Sequence, residues 1–376
     1  MAPAAKPIRV RVFPDYRTAN PYQRLLYDDF DPAFAVDFED WRSALAKDDE
    51  PVGIFHLHWE DAIYRMAPGE DEAKAQAQAF IDALQDYRNR GGISIWTVHN
   101  RSPHDGRYLA VHDALCEALA EIADIVVVHH ATGARFAHEA RGIPHNRLVT
   151  IPHGNYRPLP ANLLGDRPGR RLAAGYGPGD RVVLLFGRLD SYKGGEELID
   201  AFAQTDNTAL KLAIAGKAVA PLDDALAGLA EPVRQRISVD VRFIPEEEVP
   251  AFFDLADFVA LPYRSILTSG TAMLALSRAR PVIAPALDGL LEWVRDGQNG
   301  YVYEPDQPGS LVSVLNRVAS SDHDTWALMV RAAEQTSLGF DWHGARTLLA
   351  GIYARLTLDH RPPRLVGADD WFVLGE

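Results

Sequence analysis

The sequence predicts an α/β protein built from two doubly wound domains with parallel sheets. Three observations carry this. The chain has 376 residues, more than one ordinary core organises. Short apolar runs alternate with amphipathic stretches of helical length, the signature of parallel strands covered on both faces. The alternation lapses in a Pro-, Gly- and Arg-rich stretch, Arg157 to Asp180, and then restarts. The expected division is 1–160, 161–340, and a last helical segment, 341–376, that returns to the first domain.

In chain order, Ile8 to Phe13 reads as a strand, followed by a helix over Tyr22–Phe30. A strand at Phe34–Asp37, a short helix from Trp41 and a strand at Val52–Leu57 come next. That strand runs into His56-Leu57-His58-Trp59-Glu60. An Ala-rich helix over 70–90 leads to a strand at Ile93–Val98, which opens into His99-Asn100-Arg101-Ser102-Pro103-His104-Asp105. Helices over Tyr108–Ala123 and Thr132–Ala140 flank a strand at Ile125–His129. Leu148–Ile151 is a strand ending in Pro152-His153-Gly154-Asn155. Leu172–Tyr176 reads as a short helix within the linker. The second domain starts with a strand at Val182–Phe186, then a helix ending at Phe202 and a strand at Leu210–Ala215. Strands at Val239–Ile244, Phe258–Leu261 and Pro281–Ala284 follow. Helices over 307–320, 323–336 and 342–357 close the chain.

The net charge, 38 basic against 52 acidic side chains, is −14. It argues against a general nucleic-acid binder, which needs a basic face to release counterions. A single cysteine, Cys116, lies inside a helical pattern, so no intrachain disulfide forms and a cytoplasmic setting is compatible. No leader or membrane-spanning stretch is read from the sequence. There is no His-x3-His pair on a helix and no Cys cluster, so no metal site is expected.

The densest chemical signal runs from Asp257 to Pro285. A strand enters a polar loop, and a helix starts at Thr268-Ser269-Gly270-Thr271. Small residues at such a turn let backbone N–H groups approach an anion, and the first helical turn supplies unpaired donors and a positive dipole end. Arg188 and Lys193 follow the strand at Val182–Phe186. Cations are disfavoured at a helix start, so an anionic partner explains them better than solvent. In the first domain, polar residues gather where strands end: His56, His58, His99, His104, Asp105, His153 and Asn155. Ligands of doubly wound sheets bind at that edge.

The segments FGRLDSYKGGEELIDAF, LPYRSILTSGTAMLALSRARPVIAP and GLLEWVRDGQNGYVYEPD, with HLHW, TVHN and IPHGN before them, resemble glycosyltransferases of the GT-B fold, particularly the family-four-like group. The resemblance implies two Rossmann-like domains facing a central cleft and a nucleotide-sugar donor. It implies donor binding by His99, Arg188, Lys193, Phe243, Ile244, Ser269, Gly270, Thr271 and Glu292. His56, His58, Asn100, His153 and Asn155 are assigned to the acceptor, and His104 or Asp105 to the catalytic base. No cofactor or metal is expected beyond the donor, a UDP- or GDP-sugar. One departure stands out. Retaining members carry a Glu-x7-Glu pattern, and alignment through Pro281 puts Ile266 and Leu274 at those positions. The expectation is an inverting hexosyltransferase acting on a glycan or lipid-linked oligosaccharide in bacterial polysaccharide synthesis. It would be cytoplasmic or peripheral to the cytoplasmic membrane. The rivals are a retaining enzyme of the same group, a nucleotide-sugar 2-epimerase, and a non-catalytic sugar-binding protein.

Overall fold

The structure, a computed structural model, describes residues 6–46, 53–103, 105–159, 166–219 and 222–358. The chain forms two compact units, Met1–Gly154 with Asp341–Glu376, and Asn155–Phe340.

The first unit holds a six-stranded parallel sheet: β1 (Ile8–Phe13), β2 (Phe34–Phe38), β3 (Ile54–Leu57), β4 (Ile93–Thr97), β5 (Ile125–Val128) and β6 (Leu148–Thr150). Their order is β2-β1-β3-β4-β5-β6, so the winding direction reverses between β1 and β3. β3 is central and buried on both faces, with His56 paired in register between Val12 of β1 and Ile95 of β4. The helix Glu70–Asn89 follows from its own sequence. Glu70, Asp71 and Glu72 sit at the positive end of its dipole. Ala73, Ala77, Phe80, Ile81, Leu84 and Tyr87 recur at helical spacing and are its buried face. The last helix, Trp342–Leu358, packs on the helix Pro21–Tyr27, where the Arg346 guanidinium donates to the Leu25 carbonyl at 2.8 Å.

The second unit holds β7 (Arg181–Phe186), β8 (Leu210–Ala215), β9 (Ile237–Asp240), β10 (Phe258–Ala260), β11 (Val282–Pro285) and β12 (Gly300–Tyr303), all parallel. Their order, β12-β11-β10-β7-β8-β9, puts the reversal between β7 and β10. Such a reversal opens a crevice beyond the carboxyl ends of those two strands. The core beneath it packs Val183, Leu185, Leu212, Ile214, Phe258 and Ile283 against Leu198, Phe202 and Leu315.

Three expectations change. β9 is Ile237–Asp240, not Val239–Ile244. Arg242 pairs with Asp240 at 3.0 Å and with Glu248, which folds the chain away from the sheet, and Val241 and Phe243 stay exposed. β12 is a strand not expected from the sequence, because its first residue, Gly300, forms with Asn299 an Asn-Gly pair that reads as a turn. The short helix of the basic stretch is Arg167–Ala173, and this stretch is anchored. Arg167 and Arg171 reach the buried Asp257 at 2.9 and 3.1 Å, and Arg170 reaches Asp254 at 2.7 Å.

Candidate active site

In the second unit, β7 is followed directly by Gly187, whose φ of +110° favours glycine. A Cβ there would lie 3.7 Å from Lys193 Nζ and 3.8 Å from Thr271 Oγ1. The ammonium from the loop after β7 and the hydroxyl from the helix after β10 therefore converge on one point at the switch. Two loops are locked together to achieve this. Arg264 N–H donates to the Tyr192 carbonyl at 2.8 Å. Gly194 (φ +65°) approaches so closely that a Cβ would fall 1.9 Å from the Pro262 carbonyl oxygen.

Lys193 is only 8 % exposed. Its Nζ lies 5.5 Å from the centre of the Tyr263 ring, and no hydrogen bond or ion pair reaches it among the described residues. The stem is buried while the ammonium at its tip has no ion pair among the described residues, so the tip is free to meet an anion. The helix Gly270–Ser277 opens beside it. Ser269 is its N-cap and its Oγ accepts from Ala272 N–H at 3.1 Å. The Ser269 hydroxyl is thus spent on the cap, and the N–H groups of Gly270 and Thr271 are the leftover donors of the first turn. Arg188 is half-exposed, and its Nε donates to Asp190 Oδ1 at 3.0 Å.

In the first unit the strand ends carry a buried imidazole cluster. His56, His58, His99, His129 and His153 are each at most 5 % exposed. The Tyr22 ring lies between 5.0 and 5.8 Å from four of them, His58, His99, His129 and His153. His129 Nδ1 lies 2.9 Å from the Ile151 carbonyl, which can only accept, so this nitrogen carries the proton. With neutral rings the polarity then propagates. His99 Nδ1 donates to His129 Nε2 at 3.4 Å, His58 Nδ1 donates to His99 Nε2 at 2.9 Å, and the Tyr27 hydroxyl donates to His58 Nε2 at 3.0 Å. His56 meets Thr97 Oγ1 at 2.7 Å and the Tyr353 hydroxyl at 2.6 Å. Burial drives the neutrality. It pushes His56 and His129 down to about 3 and His153 down to about 4. His58 is also held well below the usual range by burial and by its imidazole neighbours.

Similarity to known proteins identifies the class of enzyme. Residues 180–321 match the family model "Glycosyl transferases group 1". A GDP-mannose:glycolipid 4-beta-D-mannosyltransferase of Xanthomonas campestris pv. campestris is 28 % identical over 307 residues, 80 % of this chain and 81 % of that protein. A D-inositol 3-phosphate glycosyltransferase of Nocardia farcinica is 31 % identical over 65 % of this chain and 56 % of its own. Among solved structures, Anabaena HepE in complex with UDP and glucose superposes with a TM-score of 0.66. It is 17 % identical and covers 92 % of this chain and 91 % of its own. The chain is a glycosyltransferase of the GT-B fold.

The remaining assigned residues of this glycosyltransferase fall as follows. His56 and His58 have both ring nitrogens engaged inside the cluster, so what they offer is a shaped floor. The His99 ring also stacks on Trp59, 4.2 Å between centres. Asn100 is partly buried beside it. Asp105 is exposed and accepts from Arg107 N–H at 3.0 Å, and His104 lies outside the described residues. Asn155 belongs to the second unit, where its side chain donates to the Ser337 carbonyl and accepts from Arg157 N–H. Phe243 is 64 % exposed in the loop after β9, with Ile244 partly buried next to it. Glu292 caps the carboxyl end of the helix Asp288–Leu291. That helix packs on the loop of Ile266 and Leu267, where a Cβ on Gly289 would fall 2.2 Å from the Leu267 carbonyl.

One group among the described residues can present three ligand atoms to a cation: Glu60, His112 and Cys116, all buried. His112 Nε2 lies 3.5 Å from Cys116 Sγ and 3.8 Å from Glu60 Oε1, and Trp96 Nε1 donates to Glu60 Oε2. Burial raises Glu60 to about 7, so its carboxyl is partly protonated near neutrality. Sequence reasoning missed His129, Tyr22, Tyr27, Tyr353 and Asp190. Of these only His129 carried a readable signal, a histidine directly after a strand.

Proposed function

We propose that this enzyme transfers a hexosyl unit, first of all mannose from GDP-mannose, to a glycolipid acceptor in bacterial polysaccharide synthesis, with inversion at the anomeric carbon. The observation that carries the reading is the ammonium of Lys193, without an ion pair among the described residues and converging with Thr271 on Gly187 at the β7/β10 switch. Departure of a nucleoside diphosphate develops negative charge, and fixed cations and amides stabilise it without reorganisation. Lys193 supplies a point charge, Arg188 a fork of donors, and the first turn at Gly270 and Thr271 supplies amides. Phe243, with Ile244, is assigned to the base and Glu292 to the ribose. UDP-sugars are the second donor class to test.

The acceptor hydroxyl would attack the sugar carbon while a carboxylate or imidazole takes its proton. Asp105, on the loop after β4, is assigned this role, with His104 as the other candidate. Inversion is supported by the apolar Ile266 and Leu274 at the positions where retaining members hold carboxylates. The Xanthomonas relatives, which are named for a β-linked product, support it as well, since GDP-mannose carries its sugar in α linkage. Among the described residues no helix is long and apolar enough to cross a membrane, so a glycolipid acceptor implies peripheral contact with the membrane carrying it. The test is incubation with GDP-mannose or a UDP-hexose and a lipid-linked glycan, with NMR of the new linkage. A β-mannosyl product supports the reading, and an α-mannosyl product refutes inversion. Unchanged donor kinetics in Lys193→Ala refute the diphosphate assignment.

A further inference from the structure

We propose that Asp190 is the positioning residue of the diphosphate cradle, acting on the donor through Arg188 without touching it. The inference rests on the cradle reading above. Arg188 and Lys193 leave the end of β7 five residues apart and bear the same charge. Asp190 stands between them in sequence and is tied to both. Its Oδ1 accepts from Arg188 Nε at 3.0 Å, and its main-chain carbonyl accepts from Lys193 N–H at 3.0 Å, closing the short 3-10 turn Ser191–Lys193.

The geometry of the ion pair matters. The carboxylate meets the guanidinium only at Nε, so the four N–H groups on the two Nη atoms have no partner among the described residues. Those are the donors that fork onto phosphate oxygens. The Asp190 side chain is 4 % exposed while that of Arg188 is 47 % exposed. A rigid buried anchor therefore holds the stem of a solvent-facing fork. A long side chain held at one end loses less rotamer freedom when a ligand arrives.

Asp190 is not satisfied as a purely structural aspartate would be. Its Oδ2 is buried without a hydrogen-bond partner among the described residues. Asp190 and Lys193 line the same small cavity of about 10 Å³, room for a single water. Leaving a buried carboxylate oxygen unpaired is destabilising. Retention of the residue then follows from what Oδ1 does for Arg188.

The experiment is calorimetry with GDP and with UDP, using the tighter of the two, on the whole protein and on Asp190→Ala, Asp190→Asn, Arg188→Ala and Arg188→Ala/Asp190→Ala. Asparagine keeps an oxygen for Arg188 Nε, so it should bind within about threefold of the unaltered protein. Alanine should bind about tenfold more weakly, the effect of losing one charge-assisted contact. In the Arg188→Ala background, removing Asp190 should change the affinity less than about twofold, because the group it acts through is gone. Wild-type affinity in Asp190→Ala overturns the proposal, and so does a full tenfold loss on top of Arg188→Ala. Wild-type affinity in Arg188→Ala overturns the cradle reading instead. Should Asp190→Ala melt early, the Asn variant decides, since a tenfold loss there with an unchanged melting temperature overturns the positioning role.

Discussion

The buried imidazoles make the first unit acid-sensitive at a pH where most of its carboxylates are still ionised. His56 and His129 stand at about 3, His153 and His112 at about 4, each lowered mainly by burial. An ordinary histidine titrates near 6.5. Between those values the unfolded chain binds protons that the folded chain refuses, so stability falls as pH falls below about 6.5. Each pH unit costs about 1.4 kcal/mol per histidine. From pH 7 to pH 5 that is about 2 kcal/mol for each of the four, or about 8 kcal/mol together. Glu60 works the other way. Its folded value is about 7, so acid relieves its burial and returns about 2 kcal/mol over the same range. The histidines win, leaving a net loss of about 6 kcal/mol, comparable with the whole stability of many domains. Urea titrations followed by far-UV circular dichroism between pH 8 and pH 5 test this. Near pH 5.5 these five groups should give a slope equivalent to about three protons taken up on unfolding, and His56→Gln should lower it by about one. A midpoint that holds or rises between pH 7 and pH 5, or a slope untouched by His56→Gln, refutes the reasoning.

Lys193→Met keeps the length of the largely buried stem and removes a charge that has no ion pair among the described residues. The ligand-free protein should melt no lower than the parent, while nucleoside diphosphate affinity drops at least about tenfold. The opposite pattern, an earlier melt with affinity kept, would mean that the ammonium serves the fold. Gly194→Ala should cost about 3 kcal/mol, combining a left-handed φ with a collision at the Pro262 carbonyl; a urea midpoint equal to the parent's would show that the two loops are not locked. Binding of GDP or UDP should be unaffected by a chelator, because the neutralising charges come from Lys193 and Arg188. Loss of binding in EDTA that magnesium or manganese restores would point to a metal the cradle requires.

Much of the fold was legible because it depends on local patterns. Apolar runs at Ile8–Phe13, Ile93–Thr97 and Leu210–Ala215 are flanked by helices whose apolar faces recur at 3.6 residues, and two such series need two sheets. The grouping of Lys193 with Thr271 follows from the same pattern, since each lies on the segment that leaves a strand next to the switch, and the strand order brings those segments together. Asp190 was hidden, since an aspartate beside a turn usually caps it, and nothing in the chain distinguishes one that holds an arginine.

The histidines expose the limit more sharply. Sequence places His56, His58, His99 and His153 at one sheet edge, where solvent-facing imidazoles would bind an acceptor or exchange protons. Depth is what the sequence does not encode locally. Here it is set by Tyr22 from the first helix and by Tyr353, which reaches His56 from 297 residues further along the chain. Covered by those rings, the imidazoles lose water, their basicity falls, and the Ile151 carbonyl fixes the direction of the hydrogen bonds from His129 back to Tyr27. A group of residues that reads as reactive becomes a neutral, oriented floor. The proposed base, Asp105, lies outside that cluster, exposed on the loop after β4.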